Sequence, residues 1–304
     1  MTAHDRKPSV ADAFGVDTYF RLYIGALRTD DPRRPPYTIL GGHTPHDQRR
    51  PPSFCCVGPN QSVMGAIVAT DLHKRYGDLE ALSGLSLSVG RGELVGLLGP
   101  NGAGKTTTIA ILTGQLTPDD GSATVLGVDP SSEGVEARRN VGILPEKESP
   151  PSFLTPREYF AFVGTVRGID PETRTERVEE WADRLGFAEQ LDTFATDLSR
   201  GQQQKVMIAA AFLHEPAAVF IDEPLANLDP IVQERVKRFL REYADAGNAV
   251  LLSTHHIEVA AELCDRVCIV RDGVVAEQRI PRELGEGETL LDAFVASVDA
   301  AAGD

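Results

Sequence analysis

Cysteine is scarce: 4 in 304 residues do not make a disulfide framework. Long apolar runs are missing as well. No stretch reaches the roughly 18 apolar residues of a membrane-crossing helix, so none is expected. The first residues lack a continuous apolar core, so no secretory signal is expected either. Positive charge is in deficit, with 30 Lys+Arg against 45 Asp+Glu and a net charge of −15. No nucleic-acid partner is expected, because binding a polyanion relies on a positive footprint. One locally positive pocket for a small anion stays compatible with that balance. A composition of 41% hydrophobic and 25% charged residues is ordinary for a globular chain. These absences imply a soluble, intracellular protein of one large domain or two small ones.

Lysine is the rarest common charge. From residue 64 onward only Lys74, Lys105, Lys147, Lys205 and Lys237 occur. Arginine does most of the cationic work beside abundant carboxylates. This pattern fits a surface adapted to high salt, where screening weakens self-repulsion. The plainer reading is an acidic, arginine-rich protein.

Residues 1–63 stand apart from the rest. They carry 8 Lys+Arg and 6 Asp, 8 of the 20 prolines and 3 of the 7 histidines. Such composition cannot bury enough apolar area to offset chain entropy, which predicts disorder. A short helix is expected within Phe14–Leu27, and Cys55–Cys56 receive no role. The alternative is that 1–63 is an extension upstream of the native start, since Met64 opens a natural strand beginning. Residues 64–304 are then the domain.

Two apolar runs end in chemistry. Leu94–Leu98 reads as a strand and Thr107–Leu116 as a helix. Between them lie Gly99, Pro100, Asn101, Gly102, Ala103, Gly104, Lys105 and Thr106, the pattern GxxxxGK[ST] in its strand–loop–helix setting. Glycines let backbone N–H groups point inward as an anion nest. The helix N-terminus adds free donors and about half a positive charge. Lys105 suits the β- and γ-phosphates, and the Thr106 hydroxyl suits Mg²⁺. These residues, with Thr107, are the candidate ATP-binding loop. A second run, Ala217–Ile221, ends in Asp222–Glu223. Asp222 suits Mg²⁺, and Glu223 suits polarisation of an attacking water as general base.

Further motifs resemble those of one P-loop family. Leu198-Ser199-Arg200-Gly201-Gln202 resembles the LSGGQ signature of ATP-binding cassette (ABC) ATPases, with Ser199 lying 23 residues before Asp222. Ala226-Asn227-Leu228-Asp229 resembles the D-loop, and Ser253-Thr254-His255 the strand end bearing the switch histidine. The resemblance covers about 66–297. It implies an α/β P-loop ATPase core, an antiparallel β edge subdomain and an α-helical subdomain at about 150–205. It also implies ATP and Mg²⁺, with Tyr76 stacking on adenine. Two copies would pack head to tail. Ser199, Gly201 and Gln202 would face the nucleotide of the opposite copy, Asp229 would cross the interface, and His255 would contact the γ-phosphate beside catalytic Glu223. The family's Q-loop glutamine falls at Glu146, which can still offer Mg²⁺ an oxygen but adds charge. Arg200 replaces the first glycine of the signature.

These variants, and a terminal helix around Thr289–Phe294, resemble the exporter branch that includes drug, sodium and ABC-2-type systems. The implied function is ATP hydrolysis that powers export through a separate transmembrane permease, on the cytoplasmic face of the membrane. The alternative is a soluble ABC ATPase with non-transport work, and a non-hydrolysing module is a third. Glu223, Lys105 and His255 argue against the last. Within the helical region, Thr155-Pro156-Arg157-Glu158 predicts a helix start. Phe160, Phe162 and Trp181 are expected in the core rather than in a docking surface. Cys264 and Cys268 are expected to be small buried hydrophobes. His256 is expected to be a bystander, and His73 and His214 receive no role.

Overall fold

Alternation of apolar and polar residues after Ala66 produces a hairpin of β1 (Ile67–Tyr76) and β2 (Leu79–Val89). The computed structural model describes residues 65–147, 149–285 and 287–299. The expectations for 1–63, for Phe14–Leu27 and for Cys55–Cys56 lie outside the described residues. The hairpin turns at Gly77–Asp78, as its sequence suggests. Ser83–Gly84, a pair of common turn formers, lies inside β2. Gly84 at φ 104° and Asp71 at φ 52° accommodate register shifts there, so the strand bulges and continues.

The chain then enters the central sheet. β3 (Leu94–Leu98) is buried at every residue, and the glycine loop delivers it to α1 (Lys105–Leu112). The helix starts two residues before the expected one and ends earlier, where Gly114 takes φ 66°. β4 (Asp120–Val125) pairs with the free side of β1, giving a three-stranded antiparallel sheet ordered β2-β1-β4. A short helix, α2 (Gly134–Arg139), leads to β5 (Val141–Leu144).

Next come α3 (Pro156–Val166), α4 (Pro171–Leu185) and α5 (Arg200–Phe212). Thr155 caps α3 in a capping box with Glu158, with Pro156 in the first turn. The remaining elements are β6 (Ala218–Asp222), α6 (Pro230–Asp245), β7 (Ala249–Thr254), α7 (Ile257–Leu263), β8 (Arg266–Arg271), β9 (Val274–Arg279) and α8 (Leu290–Asp299).

The second sheet has the order β5-β6-β7-β3-β8-β9, parallel except for edge strand β9. β6 and β7 are as completely buried as β3, which their unbroken apolar runs require. One core lies between the two sheets, where α1 places Ile109, Ile111 and Leu112 against Leu72, Leu82, Val95 and Leu97. The other lies under the helices on the opposite face. There Phe160 is 1% exposed. Trp181 of α4 meets Phe239 of α6 edge-on at 4.8 Å, and Phe212 of α5 meets Phe239 at 4.7 Å. The core reading of Phe160 therefore holds, Trp181 is half-buried with its ring packed against that core, and Phe162 is half-buried. Cys264 and Cys268 are buried, as expected.

Two arginines tie the helices to the helix that follows the glycine loop. Arg138 donates to the carbonyls of Thr113 (3.2 Å) and Gly114 (2.8 Å) at the end of α1. Arg167, just past α3, donates in turn to the carbonyls of Arg138, Arg139 and Val141.

Candidate functional site

All five parallel strands run the same way, so their carboxyl ends converge along one edge of the sheet. The candidate residues gather there, where open α/β sheets bind ligands. β3 leads into Gly99, whose Cα is so close to β8 that an added Cβ would sit 2.3 Å from the Val270 carbonyl oxygen. Gly102 and Gly104 take φ 85° and 107°, so the loop curls tightly. A Cβ on Gly104 would meet Leu82 and the Ala81 carbonyl at 2.7 and 2.8 Å, so β2 packs against the loop. Pro100, Asn101 and Gly102 are exposed, and Thr107 is half-buried.

Lys105 is 8% exposed, and its ammonium donates to the carbonyls of Gly99 (2.7 Å) and Pro100 (3.0 Å). Burial lowers its pKa, opposed by Asp222, Glu223 and Glu146. Next to it the Thr106 hydroxyl donates to Asp222 Oδ2 at 3.1 Å. Burial raises the Asp222 pKa. The Ser253 and Thr106 hydroxyls oppose the rise, and Glu146 and Glu223 add to it. Glu146 is exposed just after β5, 3.9 Å from the Lys147 ammonium. These groups offer a hard, all-oxygen donor set of one hydroxyl and carboxylates, which fits Mg²⁺. The curled loop, with a lysine and a helix N-terminus, fits a polyphosphate.

Glu223 follows Asp222 with φ 50°, a left-handed conformation unusual for glutamate. That turn aims its carboxylate, 7% exposed, across to the end of β7. Oε1 accepts from the backbone N–H of His255 at 2.8 Å and lies 2.5 Å from His255 Nδ1. Oε2 accepts from the Thr254 hydroxyl at 3.0 Å. The Thr254 hydroxyl also accepts the His256 backbone N–H at 3.0 Å. Sequence reasoning assigned nothing to Thr254. Its signal was its place between the strand end and His255.

The signature forms a second cluster. Ser199 caps α5 by accepting from the Gln202 N–H, while the Gln202 side chain accepts the Ser199 N–H at 2.8 Å. Gln202 is thus engaged within its own helix start. Asp229 caps α6, accepting the Val232 N–H at 3.0 Å. Gly201 presses on the D-loop, where an added Cβ would meet the Asn227 carbonyl oxygen at 2.7 Å. Gln233 holds the same loop through the Leu225 and Leu228 carbonyls, each at 3.1 Å. Ser199, Arg200, Gly201, Lys205, Asn227 and Asp229 line an open cavity of about 500 Å³. Tyr76 ends β1 and is 40% exposed. The chain thus brings Lys105, Thr106, Asp222, Glu223, Thr254 and His255 together, and holds Ser199, Gly201 and Asp229 as a separate face.

Residues 82–226 match the family model described as ABC transporter. Nod factor export ATP-binding protein I of Burkholderia lata is 33% identical over 222 residues, spanning 73% of each chain. The chain belongs to the ABC transporter family. It is an ATP-binding subunit of that family, with the fold of its cassettes. Daunorubicin/doxorubicin resistance ATP-binding protein DrrA of Streptomyces peucetius is 37% identical, over 70% of this chain and 64% of that protein. Among solved structures, an ATP-binding subunit of an ABC transporter is 29% identical with a TM-score of 0.71, covering 76% of this chain and 99% of its own. A dimeric bacterial ABC transporter cassette is 25% identical with a TM-score of 0.65, covering 72% and 100%. No helix among the described residues is long and apolar enough to cross a membrane.

Proposed function

We propose that the chain hydrolyses ATP to power export through a separate transmembrane permease, as one of two copies on the cytoplasmic face of the membrane. One observation carries the hydrolytic part. A buried glutamate is held between Thr254 and His255 at the sheet edge that also presents Lys105, Thr106 and Asp222. The names of the relatives, one in Nod factor export and one in daunorubicin/doxorubicin resistance, support export.

In this reading the amides of Gly99 to Thr107 take the phosphates of ATP. Lys105 exchanges its two carbonyl partners for β- and γ-phosphate oxygens. Tyr76 stacks on the adenine. Thr106, Asp222 and Glu146 would hold Mg²⁺, which when bound shields the phosphate charge. Glu223 accepts a proton from the attacking water, and its hydrogen bonds to Thr254 and His255 orient the carboxylate for that transfer. His255 turns from Glu223 towards the γ-phosphate, so phosphate loss registers at the end of β7. Ser199, Gly201 and Gln202 of the second copy close over the nucleotide, with Asp229 at the seam. The switch comes from contacts made to one phosphate and then lost.

Glu223→Gln tests this. It should lower turnover at least about 100-fold, as loss of a general base does, and accumulate an ATP-bound dimer on size exclusion. Turnover within tenfold of the parent would refute the role of Glu223. Capture of the tagged protein from native membranes in mild detergent tests the transport part. A stoichiometric polytopic protein supports it. Recovery with soluble assemblies instead would overturn it.

A further inference from the structure

The histidine doublet at the end of β7 exceeds what a phosphate contact needs. His256 is exposed, and its ring centroid lies 4.1 Å from that of His255. One donor atom from each of Glu223, His255 and His256 falls within 4.8 Å of the others. Two imidazoles and a carboxylate, with one side open to solvent, are the donor set of a borderline transition metal rather than of Mg²⁺.

We propose that Glu223, His255 and His256 form an inhibitory Zn²⁺ site, distinct from the Mg²⁺ group at Thr106 and Asp222. Bonds of about 2.0–2.2 Å in a tetrahedron separate donor atoms by roughly 3.3 Å. The Glu223–His255 pair, at 2.5 Å, must open slightly, and the other donors must close. His255 can do so because its side chain is 53% exposed, whereas Glu223 at 8% is fixed. Nδ1 cannot bind both a metal and a proton, so at that atom the ring proton moves to Nε2 and the bond to Glu223 breaks. The His255 backbone N–H and the Thr254 hydroxyl still hold the carboxylate in place. A bound ion would then immobilise the proposed general base and the proposed phosphate contact together. The glycine loop is untouched, so ATP binding persists while hydrolysis stops.

Metal binding stands independently of the hydrolysis reading, and inhibition rests on it. The test titrates Zn²⁺ alone into nucleotide-free protein against a chromophoric chelator in millimolar Mg²⁺. Co²⁺ absorption serves as a probe of tetrahedral geometry. The wild type should bind one ion per chain, and His256→Ala should weaken binding at least about tenfold. His256→Cys, which supplies another good zinc ligand, should restore it. His256 makes no side-chain cap to α7, so these variants should fold normally. With chelator present, ATPase in His256→Ala should stay within twofold of wild type. Zn²⁺ should inhibit the wild type but not this variant. Equal Zn²⁺ affinity in wild type and His256→Ala would overturn the site. Equal Zn²⁺ inhibition in the two would overturn the mechanism of inhibition. A chain with no ATPase that still binds Zn²⁺ through His256 would keep the site and refute only the proposed function.

Discussion

Substituting Gly201 by alanine probes a close backbone contact between the signature helix and the D-loop. The added methyl would lie 2.7 Å from the Asn227 carbonyl oxygen, a backbone atom that cannot rotate away. Even weak C–H···O contacts keep about 3.3–3.6 Å, so α5 and the D-loop must part by roughly 0.6–0.9 Å. Overpacking of this size costs about 1–3 kcal/mol. Alanine recovers up to about 1 kcal/mol in helix propensity. A net loss of about 0–3 kcal/mol lowers the melting temperature by no more than roughly 12 °C in a domain of this size. The larger effect should be on association. The displaced segment runs straight into Asp229, so the face offered to the second copy changes shape. Dimer formation in saturating ATP, measured by sedimentation in a Glu223→Gln background, should weaken by at least tenfold, about 1.4 kcal/mol. ATP binding to the monomer should not change, because the glycine loop is untouched. A variant that dimerises like its parent would refute the link between this packing contact and the interface.

Arg241→Met should destabilise the fold by about 2–4 kcal/mol in urea unfolding. Its guanidinium donates to both oxygens of Asp265, at 2.8 and 2.9 Å, and Asp265 also accepts the first N–H of β3. Burial would raise the Asp265 pKa, but Arg241 and the Leu94 N–H outweigh it and hold the carboxyl below the usual range. A depressed carboxylate stabilises above its unfolded pKa and stops doing so as pH falls through the folded one. The Arg241→Met penalty should therefore be full at pH 7 and shrink below about pH 4. Adding KCl should raise the melting temperature, since screening relieves repulsion across a chain of net charge −15. A fall with added KCl would dismiss the salt-adapted surface.

The site was legible where chemistry is local. Gly102 and Gly104 adopt the positive φ that the loop pattern demands, and the apolar run before Asp222–Glu223 ends at the sheet edge. The capping box at Thr155 was readable because it spans four residues. Contacts between distant segments were not. Nothing adjacent to Thr254 in the chain says that its hydroxyl would meet Glu223, 31 residues away, or that Gly201 would press on Asn227. Both follow from strand order, which pattern alone leaves open. Gln202 was read through the signature, yet its side chain closes a capping box, a use that only the geometry of the α5 start discloses. Ser83–Gly84 is the opposite case. The pair looks like a turn, but pairing with β1 on one side carries the strand through a bulge.

The lysine that bridges Gly99 and Pro100 makes the phosphate loop a rehearsed shape. An ammonium already sits against the carbonyls that would otherwise repel an incoming anion. On the proposed function, the first phosphate to arrive meets a formed cradle and needs only to trade partners with one flexible side chain. Capture of nucleotide should therefore run at the speed of encounter. On the proposed function, the step of the cycle that depends on chain concentration is then the meeting of two subunits, and concentration of the chain at its place of work tunes its pace.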